Sequence, residues 1–259
     1  MKKYILFLSA VFLVFACKKD KLSEDDPPVD PYSLLVNGVY QYPTKAPDSS
    51  LTSAQKREYW DIPEDVLPCL TTGNLLISCL NHPFIAGNIL IHGCCGLQSG
   101  YELQKNWCRG MAEFETRPGA LDTLIARYMS IDTINYETTS SPLTYGGYNF
   151  YTYCLEVFLA QEVYLSSADT AQKIDLLTDL FVKQNFRKEQ RGWFYIEGPS
   201  FVMARIMYYD NYLLFIEKYN QNADINYFVM NGSPMNYYEG DIQLILSDAT
   251  DYLNSLKTR

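Results

Sequence analysis

Apolar residues recur at helical spacing along nearly the whole chain after about Ser50, and no long alternating run interrupts them. From Asn149 to Leu165, Phe150, Tyr153, Cys154, Val157, Phe158, Tyr164 and Leu165 share one face with a single polar member, Gln161. Asp169 and Thr170 then offer a cap before Ile174, Leu177, Leu180 and Phe181, and Gly192 marks the way out. Pro199 in a first turn opens the longest predicted helix, Ser200 to Tyr219. Phe201, Val202, Met203, Ala204, Ile206, Met207, Leu213, Leu214, Phe215 and Ile216 surround its axis, so it is expected to run through the middle of the fold. Gly240 to Leu256 reads as a last amphipathic helix. The N-terminal half is choppier: a short helix after Pro63, Thr72 to Asn81 stopped by Pro83, Phe84 to Ile91, Gln98 to Glu115, and Gly119 to Ser130. The pattern predicts an all-α fold, an antiparallel array of about eight helices in one domain from Ser50 to Arg259. A superhelical α-α arrangement stays open, because no fixed-period repeat recurs.

Length and charge narrow the picture further. At 259 residues and 47% hydrophobic, the chain can bury a core without a metal or disulfide merely to fold. Its formal charge is −9, and an acidic surface repels phosphate backbones, which argues against a nucleic-acid partner.

The N-terminus has a composition of its own. Lys2 and Lys3 precede thirteen residues, Tyr4 to Ala16, that are apolar apart from Ser9, and Cys17 follows. A membrane-spanning helix needs about 20 apolar residues, so the run has the length of a signal-peptide core, 1–16. Val14, Phe15, Ala16 and Cys17 resemble the lipobox of bacterial lipoproteins, although Phe15 is bulkier than the usual residue there. That resemblance implies cleavage before Cys17, acylation of its thiol and amine, and anchoring to a lipid bilayer without crossing it. Cleavage would remove Lys2 and Lys3, leaving 19 basic residues against 30 acidic ones, a balance of −11. Residues 17–49, with Lys18, Lys19, Lys21, Glu24, Asp25 and Asp26 followed by Pro27, Pro28 and Pro31, read as a flexible tether. The acidic cluster beside Cys17 resembles the export signal of Bacteroidetes surface lipoproteins, which implies an outer-membrane location, surface-exposed or periplasm-facing.

A second resemblance lies in the folded part. Ile62 to Leu67 followed by Thr71 to Pro83 is similar to a helical segment of exported Bacteroidetes proteins that carry no assigned activity. In those a tyrosine usually stands where His82 stands here. The similarity reaches as far as Ser130 and implies compartment and helical class only.

Five of the seven cysteines, Cys69, Cys79, Cys94, Cys95 and Cys108, lie within forty residues, together with both histidines. Thiolates and imidazoles are the ligands zinc prefers, and Cys79, His82, His92, Cys94 and Cys95 form the candidate set, with Cys79 and His82 one helical turn apart. No CxxC occurs, however, and helical cysteines also serve as small buried packing residues. Disulfides are a third role open to an exported chain. A Cys94 or Cys95 nucleophile paired with His92 would need a depressed thiol pKa and an orienting group that no sequence signature supplies.

Carboxylates give no paired acid and base. Glu113 and Glu115 point apart on a helix, and Arg109, Glu113 and Arg117 read as a solvated salt-bridge row. Glu197 sits near a helix start, where negative charge is stabilising. Arg205, inside the apolar helix, is expected to pair with Glu156 or Glu162. Tyrosine is the compositional outlier at 22 residues. Two polar segments, Asp132 to Tyr148 and Asn220 to Tyr238, read as long loops carrying Tyr136, Tyr145, Tyr148, Tyr227, Phe228, Tyr237 and Tyr238, side chains suited to a glycan or a peptide. Asp122-Thr123, Asp132-Thr133 and Asp169-Thr170 resemble the short O-glycosylation sequence of Bacteroidetes exported proteins, and Asp-Thr is also a helix start. The combined expectation is an anchored lipoprotein with a non-enzymatic binding or scaffold role and no cofactor. The alternatives are a metal- or thiol-dependent centre at residues 79–95, with zinc as cofactor, and capture of a surface glycan or protein by the tyrosine loops.

Overall fold

An Asn-Gly dipeptide shapes the first described stretch, just after a short 3-10 turn at Pro31–Leu34. Asn37 and Gly38 both take positive φ, 52° and 75°, the requirement of the tight turn that matches the twist of a hairpin. They join β1 (Leu35–Val36) to β2 (Val39–Tyr40), antiparallel with Leu35 opposite Tyr40. The computed structural model describes residues 31–91, 96–134, 142–189, 197–232 and 239–258. The expected signal peptide, Cys17 and the acidic cluster after it lie outside them. Residues 31–49, expected within the tether, instead deliver Tyr40 and Tyr42 to the core, and the Tyr40 N–H donates to Ser78 Oγ at 3.0 Å.

Helices dominate the remaining described residues, and several of their ends have a local cause. α1 (Ser53–Tyr59) starts with a reciprocal cap between Thr52 and Gln55, and α2 (Thr72–Leu80) with the Thr71 hydroxyl accepting the Asn74 N–H. After a π-helical stretch, Gly87–Ile91, come α3 (Leu97–Trp107), α4 (Arg109–Thr116) and α5 (Ala120–Met129). The helix expected over Gln98 to Glu115 is therefore two: Cys108 adopts φ −131°, ψ 96° and turns the chain. The segment expected from Asn149 to Leu165 also divides, into α6 (Pro142–Leu159) and α7 (Glu162–Leu165), with Gln161 extended between them. α8 (Thr170–Glu189) begins at the expected cap, where Asp169 and Gln172 exchange side-chain to backbone hydrogen bonds of 2.8 Å. It is longer than the helix opened by Pro199, which ends early as α9 (Glu197–Tyr209) because Asn211 takes φ 51°. α10 (Leu213–Gln221), α11 (Ala223–Asn231) and α12 (Glu239–Lys257) complete the array. Among the described residues no helix is long and apolar enough to cross a membrane.

α9 does occupy the centre, as its all-round apolar surface requires. Every residue from Gly198 to Met207 is buried, and α6, α7, α8, α10, α11 and α12 pack around it. Two buried arginines organise this packing. Arg187 of α8 grips Glu156 of α6 with both guanidinium ends, Nη1 to Oε2 at 2.9 Å and Nη2 to Oε1 at 2.7 Å. Tyr128 of α5 donates to the same carboxylate at 2.6 Å, and both members of the pair are 0% exposed. The Lys183 ammonium, bonded to Asp179, lies 4.5 Å from the centre of the Tyr128 ring. Arg205 is buried as expected, yet its partners are not Glu156 or Glu162. It donates to the carbonyls of Val229 (2.9 Å), Met230 (2.9 Å) and Ala160 (3.1 Å), and to Gln98 Oε1 (2.7 Å). The last carbonyls of a helix carry partial negative charge without intrahelical donors, so one guanidinium neutralises the ends of α6 and α11 together. The expected surface row is also divided. Arg117 meets Glu113 at 2.7 Å, whereas Arg109 turns to Asp61 at 2.9 Å and ties α4 to the turn after α1.

Removing one member of a buried, hydrogen-bonded pair strands the other. Arg187→Met should cost about 3–5 kcal/mol in urea unfolding, and Tyr128→Phe only about 1 kcal/mol. Equal losses for the two would contradict the assigned hierarchy.

Candidate functional site

The cysteine and histidine candidates separate once placed. Cys79 lies in the last turn of α2, fully buried, and burial followed by the Cys108 thiol beside it holds its own thiol well above the usual range. His82 does not continue that helical face, because α2 ends at Leu80 and the imidazole sits in the turn beyond. It is 1% exposed, edge-on to Tyr42 with ring centres 5.1 Å apart, and near Phe84 at 5.8 Å. Its Nδ1 accepts the Phe84 N–H at 3.2 Å, which leaves the proton of the neutral ring on Nε2. Burial pulls its pKa down to about 4, opposed by the carbonyls of Trp107 and Trp60. His92, Cys94 and Cys95 lie outside the described residues. Among the described residues no group of three His, Cys, Asp or Glu side chains is placed to hold a metal.

The tyrosine loops require correction. Residues 220–238 contain α11, with Ile225, Phe228 and Val229 turned into the core. Asn222 accepts the Asp224 and Ile225 N–H groups, a cap that converts a polar-looking stretch into a helix. Phe228 is 3% exposed against the Phe201 ring, Tyr227 is half-buried on the same helix, and Tyr148 is buried within α6. Tyr145 also belongs to α6, although its side chain lies outside the described residues, as do Tyr136, Tyr237 and Tyr238 entirely. Three of the seven expected loop aromatics are thus helical packing residues.

A cleft forms elsewhere, at the elbow that ends α9. Asp210, Asn211 and Tyr212 reverse the chain, and the left-handed Asn211 is what the turn demands; asparagine tolerates that region better than most side chains. The resulting hollow, about 600 Å3, is lined by Thr170 and Lys173 of α8, by Leu213 and Leu214 of α10, and by Tyr252 and Leu256 of α12. At its floor Asp210 accepts from Lys173 Nζ at 2.6 Å and from the Tyr252 hydroxyl. Tyr212 leans on Tyr252, ring centres 4.8 Å apart and tilted 46°. Its hydroxyl stays protonated, since burial first and then Asp251 and Asp248 raise its pKa. At the rim Leu213 is 74% exposed and Leu214 54%. Exposed leucines thus stand around a closed set of hydrogen-bonded polar groups in an open surface hollow.

Periodicity alone had placed these residues inside the long helix from Ser200 to Tyr219. The signal against it is the Asp210-Asn211 pair, two turn-forming residues within an otherwise apolar run.

A second group is shifted by burial. Glu197, in the first turn of α9, has its pKa raised to about 7 by burial, so the negative charge expected to stabilise that helix start is itself penalised by desolvation.

The His82 shift fixes a pH dependence. The unfolded imidazole takes up its proton as pH falls through about 6.5 and the folded one only near 4. Stability present above pH 6.5 should therefore be lost between 6.5 and 4, by up to about 3 kcal/mol. Urea unfolding of wild type and His82→Phe at pH 7, 5.5 and 4.5 should show the wild-type advantage shrinking as pH drops; a constant difference would refute the assignment. Comparison of the chain with family models, with curated proteins and with solved structures finds no match in any of the three.

Proposed function

We propose that this chain is a lipoprotein of the bacterial outer membrane, anchored through acylated Cys17, whose helical domain holds a peptide segment of a partner protein in the cleft beside the α9–α10 elbow. The observation that carries the reading is the pair of exposed leucines at the cleft rim beside a floor of fixed polar groups. Large aliphatic side chains facing water in a concave setting favour a partner that contributes apolar side chains, and the Lys173 ammonium, with one of its three N–H groups on Asp210, has donors left for a peptide carbonyl. A glycan would be served better by flat aromatic faces, and the Tyr212 ring is engaged with Tyr252. The N-terminal pattern of Lys2, Lys3, the apolar run to Ala16 and Cys17 supports the anchor, and the acidic stretch after it supports an outward-facing display. A binding or scaffold role follows from these features together. A zinc or thiol centre at residues 79–95 remains the rival, weakened by the packing role of His82.

The test uses the full chain with Cys17→Ala, applied to peptide and glycan arrays. Peptide binding is expected, and Leu213→Asp with Leu214→Asp should weaken it at least about tenfold while changing stability by less than about 0.5 kcal/mol, because both side chains are exposed. Glycan binding, or peptide binding indifferent to the two aspartates, would overturn the cleft assignment. Incorporation of labelled fatty acid into wild type and its loss in Cys17→Ala tests the anchor separately.

A further inference from the structure

Cys79 and Cys108 meet in the core although sequence separates them by 29 positions. Cys79 closes α2, and Cys108 is the extended residue at which α3 gives way to α4; both are 0% exposed. Both are free thiols here and lie beside one another under the Tyr42 ring, whose hydroxyl is 3.8 Å from the Cys108 Sγ. Gly110 closes the other side of Cys79: a Cβ there would stand 3.0 Å from the Cys79 Sγ and 2.8 Å from Ile62 Cδ1. The remaining described cysteines are placed differently, Cys69 being exposed and pointing its thiol to the Asp65 carbonyl, and Cys154 buried on α6.

We propose that Cys79 and Cys108 are joined by a disulfide bond when the chain matures in an oxidising compartment. The proposal rests on the exported location argued above. Each thiol gives up its proton, one S–S bond forms between them, and two electrons pass to the disulfide of an exported dithiol oxidoreductase, whose own S–S bond opens to two thiols through a mixed-disulfide intermediate. Exchange needs a thiolate, and burial holds the Cys79 thiol protonated in the finished fold. The bond is therefore made while the core is still open, and once closed it is shielded from reductant. It ties the end of α2 to the α3–α4 junction and so fixes both ends of the segment that carries Pro83, the π-helical stretch and α3.

The experiment refolds the full chain from denaturant, once in a glutathione redox buffer and once in excess reductant, then blocks free thiols and digests for mass spectrometry. The expected result is a Cys108 peptide cross-linked to the peptide holding Cys79, absent in Cys79→Ala and retained in Cys69→Ala. Thermal unfolding should show the oxidised chain melting about 5–10 °C above the reduced one, a gain missing from the Cys79→Ala, Cys108→Ala double variant. Alkylation of both cysteines after oxidative refolding, or an unchanged cross-link in Cys79→Ala, would overturn the bond itself. The same blocking applied to chain extracted from its native membrane tests maturation: two free thiols there, with the bond formed readily on refolding, would overturn oxidation in the cell. The acyl mass on Cys17 in that sample reports export independently.

Discussion

Arg187 and Glu156 set the condition under which the helices can come together. A carboxylate and a guanidinium, both 0% exposed, are tolerable in a core only when each is hydrogen-bonded by the other and by neutral groups, here the Tyr128 and Thr152 hydroxyls. The pair joins α6 to α8, and Tyr128 adds α5. α9 then has to approach the same carboxylate. It does so at Gly198, where a Cβ would strike Glu156 Oε2 and press on the Tyr153 ring. One glycine thus allows the central helix to lie against a charged cluster that a larger side chain would hold away.

The other interaction of comparable reach is Arg205, which brings the carboxyl ends of α6 and α11 onto α9. Between them the two arginines explain why so apolar a helix as α9 retains polar neighbours. They anchor the helices whose ends are otherwise unsatisfied, and leave the apolar faces to fill the volume between. The cleft is a by-product of the same economy of space. α9 is surrounded up to Met207, the chain has to leave, and Asn211 turns it sharply enough to set Leu213 and Leu214 outside while Asp210 is pinned by Lys173 and Tyr252. The α2–α4 crossing shows the same dependence on small contacts: a Cβ at Gly110 would press on Ile62, Cys79 and Leu75.

Helix class was legible because periodicity records burial directly: Thr72 to Leu80 and the start of α8 at Asp169 fall where cap and pattern agree, and Ala120 to Met129 follows the pattern without a side-chain cap. Helix continuity was less legible. Cys108, Gln161 and Asn211 each interrupt an apolar rhythm that runs on through the break, because both halves bury the same kind of surface against different neighbours. α11 escaped for the opposite reason: Ile225, Phe228 and Val229 are a narrow apolar stripe on an otherwise polar stretch, visible as a helix only when Phe201 is there to receive it. The hairpin at Asn37-Gly38 was short enough to pass as part of a charged tether, although that dipeptide is a strong turn signal.

The chain's own residues determined its helical class and the centrality of the apolar segment after Pro199, since each depends on local spacing. Tertiary structure decided which charges pair, whether His82 packs or ligates, that Cys79 meets Cys108, and that a cleft opens at Asn211. Those outcomes depend on groups far apart in sequence competing for the same buried volume and the same few hydrogen-bond partners. Glu156 illustrates the point: its partner is Arg187 rather than Arg205 because Arg205 is taken by the ends of two helices, a fact that no local pattern carries.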